Sequence, residues 1–382
     1  MTESRDFKRL VRKRMAETGE SYTVARAHFV APRRKAEIPR RTTALPATVA
    51  GFQKEIYGRR RTSDLAQHLE GRYGINVSQT TELDTGVYRV DRSGDVSWVA
   101  RLFPTVRTLD SVRGDAEVLT HLAAAGFPAE RLAHTDPVSV LAGQPVLVTE
   151  FAAGSNRRYD ESVETIESLG SMLGRLHTLP DGPGACRRPA GGWHHLSVNG
   201  GRRSDDARVL LALVNDAAKR TRDTASVDEV RRELNELDDL EDLPSALLHP
   251  DPCGANFVAP EGSSGTLVDW TGAGRGPRIL GLAILIGSLR RLELVDAAVA
   301  GYRRYASLEA EELDRLEGAL VGFPFILDCW MTLFHGQPFV EVVNNLRTHR
   351  QRAASLAKRA RAAFGGPAEA TRPTEENQTT LF

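Results

Sequence analysis

Three cysteines in 382 residues leave little material for a covalent framework. Cys186, Cys253 and Cys329 lie far apart, are odd in number and lack paired metal spacing, which excludes a disulfide scaffold and fits a reducing compartment. Long hydrophobic runs are scarce too. The longest strongly apolar stretch, Ile279 to Leu289, falls well short of the roughly 18 residues a membrane span needs and reads as a buried helix. Met1 to Met15 is charged throughout and lacks the apolar segment of a secretory signal, so a cytoplasmic protein with no membrane association is expected. The net charge is zero, which removes any global bias toward nucleic acid or anionic surfaces. Lysine is absent between Lys54 and Lys219.

What is present divides the chain into four. Residues 1–62 read as a basic helical extension and linker, with an excess of about ten positive charges up to Arg61. Apolar residues at three- and four-residue spacing (Phe7, Leu10, Val11, Met15, then Tyr22, Ala25, Phe29) predict a helix over 6–29, and Pro32 to Pro46 breaks the pattern. No helix-turn-helix, zinc or aromatic stacking motif accompanies these arginines, which argues against nucleic-acid binding and for a solvated or partner-docking face. Residues 63–152 carry a short helix capped at Ser63, a hairpin of Val87–Val90 and Ser97–Leu102 around Ser93-Gly94-Asp95, a helix over 109–125 and a strand over 145–151. Residues 153–364 are mainly helical, with two short strands on either side of Gly262, and 365–382 reads as a disordered tail. Strands first and helices second indicate an α+β protein of two lobes, a small antiparallel-sheet lobe followed by a helical one.

The segment with the most chemistry runs from Leu247 to Leu282. An apolar strand delivers His249 and Asp251 to a loop, Asn256 follows five residues after Asp251, and Asp269 ends the next hairpin strand. Phosphoryl transfer needs a carboxylate near the acceptor hydroxyl and hard oxygen ligands for a phosphate-bound Mg²⁺, and these three residues can supply both. The bland alternative is that Asp251 and Asn256 are ordinary turn residues beside prolines.

His249-Pro250-Asp251-x4-Asn256 resembles the catalytic loop of aminoglycoside phosphotransferases, and Val268-Asp269-Trp270 resembles their metal-binding Asp motif. Gly86-Val87-Tyr88-Arg89-Val90 is similar to the small-lobe nucleotide-binding hairpin, and Leu176-His177-x-Leu179 to a Leu-His pair ending an early large-lobe helix. The resemblance spans residues 63 to 364 and implies a protein-kinase-like fold, with ATP and Mg²⁺ as cofactors and a small hydroxylated molecule as acceptor, an antibiotic among the options. It implies Asp251 as the catalytic base, Asn256 and Asp269 as metal ligands, and Gly86, Arg101, Asp115 and Glu150 as nucleotide-binding residues. His249 is expected to pack the catalytic loop, and Cys253 to be an inert loop thiol.

The chain departs from the family pattern in three places. Arg101 stands at the small-lobe Lys position, with Asp115, or Glu117 second, as its expected helix partner. Pro250 replaces a Gly, and Gly281 stands where an Asp usually braces the catalytic loop. These changes keep a second reading open, that of a pseudokinase-like binding module. Asp328, Trp330 and His335 are candidates for the substrate cleft, with Asp328 open between cation binding and a helix-capping or ion-paired role. Trp193-His194-His195 reads as loop surface.

Overall fold

A computed structural model describes residues 45–56, 58, 64–158, 160–190, 196, 201–260 and 265–365. The helix expected over 6–29, Ser63, the Trp193-His194-His195 run and the tail after Gly365 lie outside the described residues. Alternating apolar residues build the small lobe. Strands β1 (Val77–Asp84), β2 (Val87–Arg92), β3 (Asp95–Leu102), β4 (Val138–Leu141) and β5 (Gln144–Glu150) form one antiparallel sheet in the order β1-β2-β3-β5-β4. Tyr88, Val90, Trp98, Ala100 and Leu102 point to one face, where Leu65 and Leu69 of α2 (Leu65–Tyr73) cover them. Helix α1 (Val49–Ile56) precedes α2, and α3 (Leu109–Ala124) packs against β4 and β5. Thr108 caps α3 by accepting the Ser111 N–H at 3.1 Å.

The hairpin that matters most is β1–β2. Its two-residue turn is Thr85-Gly86, and Gly86 takes φ 77°, a left-handed conformation that glycine adopts at no steric cost.

The chain then becomes helical. The elements are β6 (Ser155–Asn156), α4 (Val163–His177), α5 (Arg203–Ala218), α6 (Thr224–Asn235), β7 (Ser245–Leu248), β8 (Phe257–Ala259), β9 (Thr266–Leu267), β10 (Gly274–Pro277), α7 (Arg278–Ser288), α8 (Leu294–Arg303), α9 (Ala310–His335) and α10 (Phe339–Gly365). Helix α4 lies directly on α8. A Cβ built at Gly170 would fall 2.1 Å from the Ala298 carbonyl oxygen, so only glycine permits this approach. The apolar stretch at Ile279 to Leu289 is α7 and its end, with Ile279, Leu282, Leu285 and Ile286 buried. Among the described residues the helix long and apolar enough to cross a membrane is instead α9, half of whose apolar window is buried; it packs against α10, α7 and α5.

Residues 49–56, which the sequence places inside the extension and linker, form α1. Its Phe52 and Ile56 are buried with Leu210, Phe325, Cys329 and Leu333 in a core shared by α5, α6, α9 and α10. Its first turn is held by Asp216, whose carboxylate accepts the Val49 N–H at 3.1 Å.

Candidate active site

Strand β7 pairs with β10 and places His249 at the start of the catalytic loop. The loop is cross-braced by its own side chains. The Asp251 N–H donates to His249 Nδ1 at 3.1 Å, and His249 Nε2 bonds the Val268 carbonyl at 2.9 Å, which fixes the proton on Nε2. The imidazole lies edge-on to Trp270, centroids 4.6 Å apart. Burial drives the His249 pKa down to about 4, so it stays neutral and braces the loop rather than carrying protons. Asn256 Nδ2 donates to both the Asp251 carbonyl (2.8 Å) and Asp251 Oδ2 (3.0 Å). With its amide nitrogen used twice, its carbonyl oxygen is the atom left for a ligand. Burial raises the Asp251 pKa, and the Cys253 thiol points at Oδ2 from 3.4 Å. That thiol is itself pushed up to about 12, by burial first and by Asp251 next, so it resists ionisation.

The departures at Pro250 and Gly281 have local explanations. Among described non-glycine residues only Ala142, Leu240 and Asp269 have positive φ, so Pro250 sits in backbone it tolerates. A Cβ at Gly281 would lie 2.9 Å from His177 Nε2 and 3.2 Å from Leu173 Cδ1. The amides that a carboxylate there would otherwise serve find partners inside the loop, as with Asp251 N–H on His249 and Cys253 N–H on the Asp251 carbonyl at 2.9 Å.

Asp269 follows β9 with φ 67°, a conformation costly for a non-glycine residue. Two groups hold it. Arg101 Nη1, from β3, donates to Asp269 Oδ1 at 2.8 Å. Glu130, buried in the connector between α3 and β4, accepts the N–H groups of Asp269 (2.9 Å) and Trp270 (3.3 Å) on one oxygen. Its other oxygen accepts the Thr149 hydroxyl at 3.0 Å and stands 3.6 Å from Arg101 Nη2. Burial opposes the Arg101 charge, but Asp269 and then Glu130 outweigh it and hold its pKa above the ordinary arginine value.

The expected Arg101–Asp115 pair is not formed. Asp115 is buried on α3 and accepts from Arg107 (2.6 Å), from Arg188 (2.5 Å) and from the Gly272 N–H (3.0 Å). Its shorter side chain faces the loop after Asp269, where two guanidiniums already satisfy it, and the sheet cation turns to Glu130 instead. Glu117 is also elsewhere, accepting the Ala185 N–H at 3.0 Å. Glu130, Arg107 and Arg188 were not singled out from the sequence. Glu130 lies in Phe127-Pro-Ala-Glu-Arg-Leu, which has no motif around it; the missing lysine was the one hint that the pairing had been rebuilt.

A cleft of about 470 Å³ opens beside this junction, lined by Asp84, Thr85, Gly86, Val87 and Arg101 on the small-lobe side and by Asp269 and Thr271 below. Phe103 and Arg107 continue the wall, and Gln53 and Ile56 of α1 with Trp330, Phe334 and His335 of α9 close the far end. Gly86 and Arg101 therefore share one cleft with Asp269, whereas Asp115 and Glu150 do not line it. Glu150 ends β5 with its side chain exposed and its N–H bonded to the Arg131 carbonyl at 2.8 Å. Of the α9 candidates, Trp330 and His335 line the cleft; Asp328 instead pairs with His349 of α10 at 2.7 Å, which is the internal ion-pair alternative.

Would these residues suit a nucleotide-bound Mg²⁺? Asp269 attracts a cation already, since Arg101 sits on it, and Asn256 has an oxygen to spare. Among the described residues no cluster of three or more His, Cys, Asp or Glu could hold a metal unaided. The donor set thus fits an ion completed by phosphate oxygens.

The family model for the phosphotransferase enzyme family (APH) matches residues 82–318. Among curated proteins none matches the chain. The fold is shared with an amicoumacin kinase solved in complex with AMP-PNP, Ca²⁺ and Ami (17% identity, 78% of this chain and 95% of that one, TM-score 0.57). It is shared as well with an aminoglycoside phosphotransferase from Alicyclobacillus acidocaldarius (17%, 78% and 95%, 0.52) and a choline kinase from Streptococcus pneumoniae (14%, 77% and 98%, 0.50). The catalytic loop, Asp269 and the Thr85-Gly86 turn with β2 all fall inside the matched span, which is more than half of the sequence. The chain belongs to the phosphotransferase enzyme family and is built on the two-lobed kinase-like fold.

Proposed function

We propose that this enzyme moves the γ-phosphoryl group of MgATP to a hydroxyl of a small molecule, with Asp251 orienting that hydroxyl and taking its proton. The observation that carries the reading is the lock between Asp251 and Asn256, at 2.8 and 3.0 Å, with His249 tying the same loop to the carbonyl of Val268, next to Asp269. Asn256 holds one Asp251 oxygen, and burial makes the carboxylate more basic than in water, which suits a proton acceptor. Bound MgATP would supply the phosphoryl group and the charge neutralisation that its transfer needs, held by Asn256 and Asp269 with Gly86 and Arg101 at the phosphates.

The cleft is lined by the groups assigned to the nucleotide and not by Asp251, so its chemistry bears first on the nucleotide. Two acids, Asp84 and Asp269, face two arginines, Arg101 and Arg107, so its walls carry no excess of negative charge. A polycation would find little there, while the wall of Phe103, Trp330, Phe334 and His335 offers area to a ring or apolar arm.

One observation favours a second reading, a nucleotide-binding module without turnover: Arg101 sits on Asp269, where the metal would go. A screen of hydroxylated metabolites and antibiotics, kanamycin included as the polycation, for Mg²⁺-dependent ADP release separates the two. Release with any of the compounds supports the kinase reading. Binding of AMP-PNP without release from any compound supports the module.

A further inference from the structure

We propose that Glu130 is a positioning residue of the nucleotide site, a second carboxylate that receives Arg101 when Asp269 takes up its metal. The inference rests on the kinase reading above. Its basis is the placement of one guanidinium between two acids, Asp269 at 2.8 Å and Glu130 at 3.6 Å. A cation held by Asp269 would compete with Arg101 for its carboxylate, and a nearly buried guanidinium that yields that contact needs a counter-charge close by. Glu130 provides it without moving. Its carboxylate is fixed from three directions by the N–H groups of Asp269 and Trp270 and by the Thr149 hydroxyl.

The backbone around Glu130 is anchored in both lobes, so the anchor does not drift. The Glu130 N–H donates to the Leu267 carbonyl (3.1 Å) and the Leu267 N–H to the Pro128 carbonyl (2.9 Å), which joins the connector to β9. Leu132 meanwhile bridges to Thr149 of β5 in the small sheet. Asp115, committed to Arg107 and Arg188, is not available for this task.

The test reads the Mg²⁺ dependence of AMP-PNP binding by calorimetry on the full chain, together with thermal melts. Glu130→Gln keeps the size and one acceptor oxygen but removes the charge, so Asp269 is left as the carboxylate within ion-pair distance of Arg101. The Mg²⁺ midpoint should rise about tenfold or more, the scale of one charge-assisted contact, while Mg²⁺-free AMP-PNP binding changes little. Adding Arg101→Ala to Glu130→Gln should bring the midpoint back toward wild type, which a merely structural role for Glu130 would not do. Should Glu130→Gln fail to fold, Arg101→Ala in the wild-type background serves: affinity at saturating Mg²⁺ falls, and its own midpoint moves to lower Mg²⁺. A midpoint unmoved in Glu130→Gln, or unmoved or raised in Arg101→Ala, overturns the inference and leaves the kinase reading standing. Wild-type protein that binds no AMP-PNP at any Mg²⁺ concentration overturns both.

Discussion

Asp269 belongs to two constructions assembled on opposite principles. Toward the catalytic loop every brace is short in sequence: Asp251 to His249, Asn256 to Asp251, and His249 to Val268 across one hairpin. Toward the small lobe nothing is short. Arg101 reaches Asp269 across 168 residues and Glu130 reaches it across 139. A locally braced loop keeps its geometry whatever the surrounding core does, while a junction drawn from three elements can be rewired by changing any of them. The Asp115 cluster is such a rewiring. It uses a buried carboxylate on α3 to fasten Arg107 and Arg188 to the loop after Asp269, at Gly272 and at the Ala273 carbonyl.

The largest expected effect comes from breaking that cluster. Asp115→Ala strands the buried Arg107 guanidinium and half-strands Arg188, so unfolding stability should drop by about 3–5 kcal/mol in denaturant titrations. A loss below about 1 kcal/mol would mean that the arginines find other partners and that the cluster does not secure the junction. For the same reason, Arg101→Lys combined with Asp115→Glu should not restore activity relative to Arg101→Lys, because residue 115 faces Arg107 and Arg188 rather than the sheet cation.

The catalytic loop should respond in the opposite manner, in chemistry and not in stability. Asp251→Asn retains an oxygen for the Asn256 amide but cannot accept a proton, so turnover should fall by roughly 10²-fold or more with AMP-PNP affinity and melting point preserved. Turnover within a few-fold of wild type would remove Asp251 from the role of base.

The same contrast explains what could be read in advance. That Asp251 and Asn256 share one loop and that Asp269 follows the next hairpin strand was legible because spacing encodes placement: a strand end, a tight turn and a hairpin leave few places for them to go. Strand β2 and helix α3 were legible from period-two and period-3.6 patterning, and β3, buried without a break from Trp98 to Ala100, from the Ser93-Gly94-Asp95 turn that pairs it with β2. Glu130 was not, because a carboxylate that satisfies amides and a cation far away in sequence leaves no periodic trace. The helix at Val49–Ile56 was missed for a related reason. Eight residues with two buried anchors, Phe52 and Ile56, give too short a pattern, and the large-lobe core that stabilises it lies far along the chain.

Acidification sharpens the comparison from the loop side. Burial lowers His249 to about 4 and His177 to about 3, from an ordinary 6.5. Below pH 6.5 the unfolded chain gains protons that the folded chain refuses, so stability is complete above that value and is lost as the pH falls toward 4 for His249 and toward 3 for His177. Each contributes a slope of about 1.4 kcal/mol per pH unit inside its window. Melts from pH 7.5 to 4.5 should therefore be flatter for His249→Gln than for wild type by about that slope, every other group cancelling in the difference. Equal slopes would show that His249 accepts a proton in the folded loop, contrary to its bonds with Val268 and Asp251.

The smallest effect is expected at Cys253, in the same loop. Its thiol points at Asp251 Oδ2 from 3.4 Å, a weak donor at long range, and burial with the Asp251 charge keeps it protonated, its pKa pushed up to about 12. Cys253→Ser replaces it with a stronger donor in nearly the same place. A hydroxyl on Oδ2 favours the ionised carboxylate by about 0.5–1 kcal/mol, which makes Asp251 a slightly poorer proton acceptor. Turnover should fall, but by less than about fivefold, and the pH at which activity rises should move down by well under about one unit. The thiol should also react with iodoacetamide at pH 8 only when the protein unfolds. Rapid alkylation of the native enzyme, or a loss in Cys253→Ser as deep as that in Asp251→Asn, would place the sulfur inside the chemistry and end the view of it as a packing group that merely tunes the base.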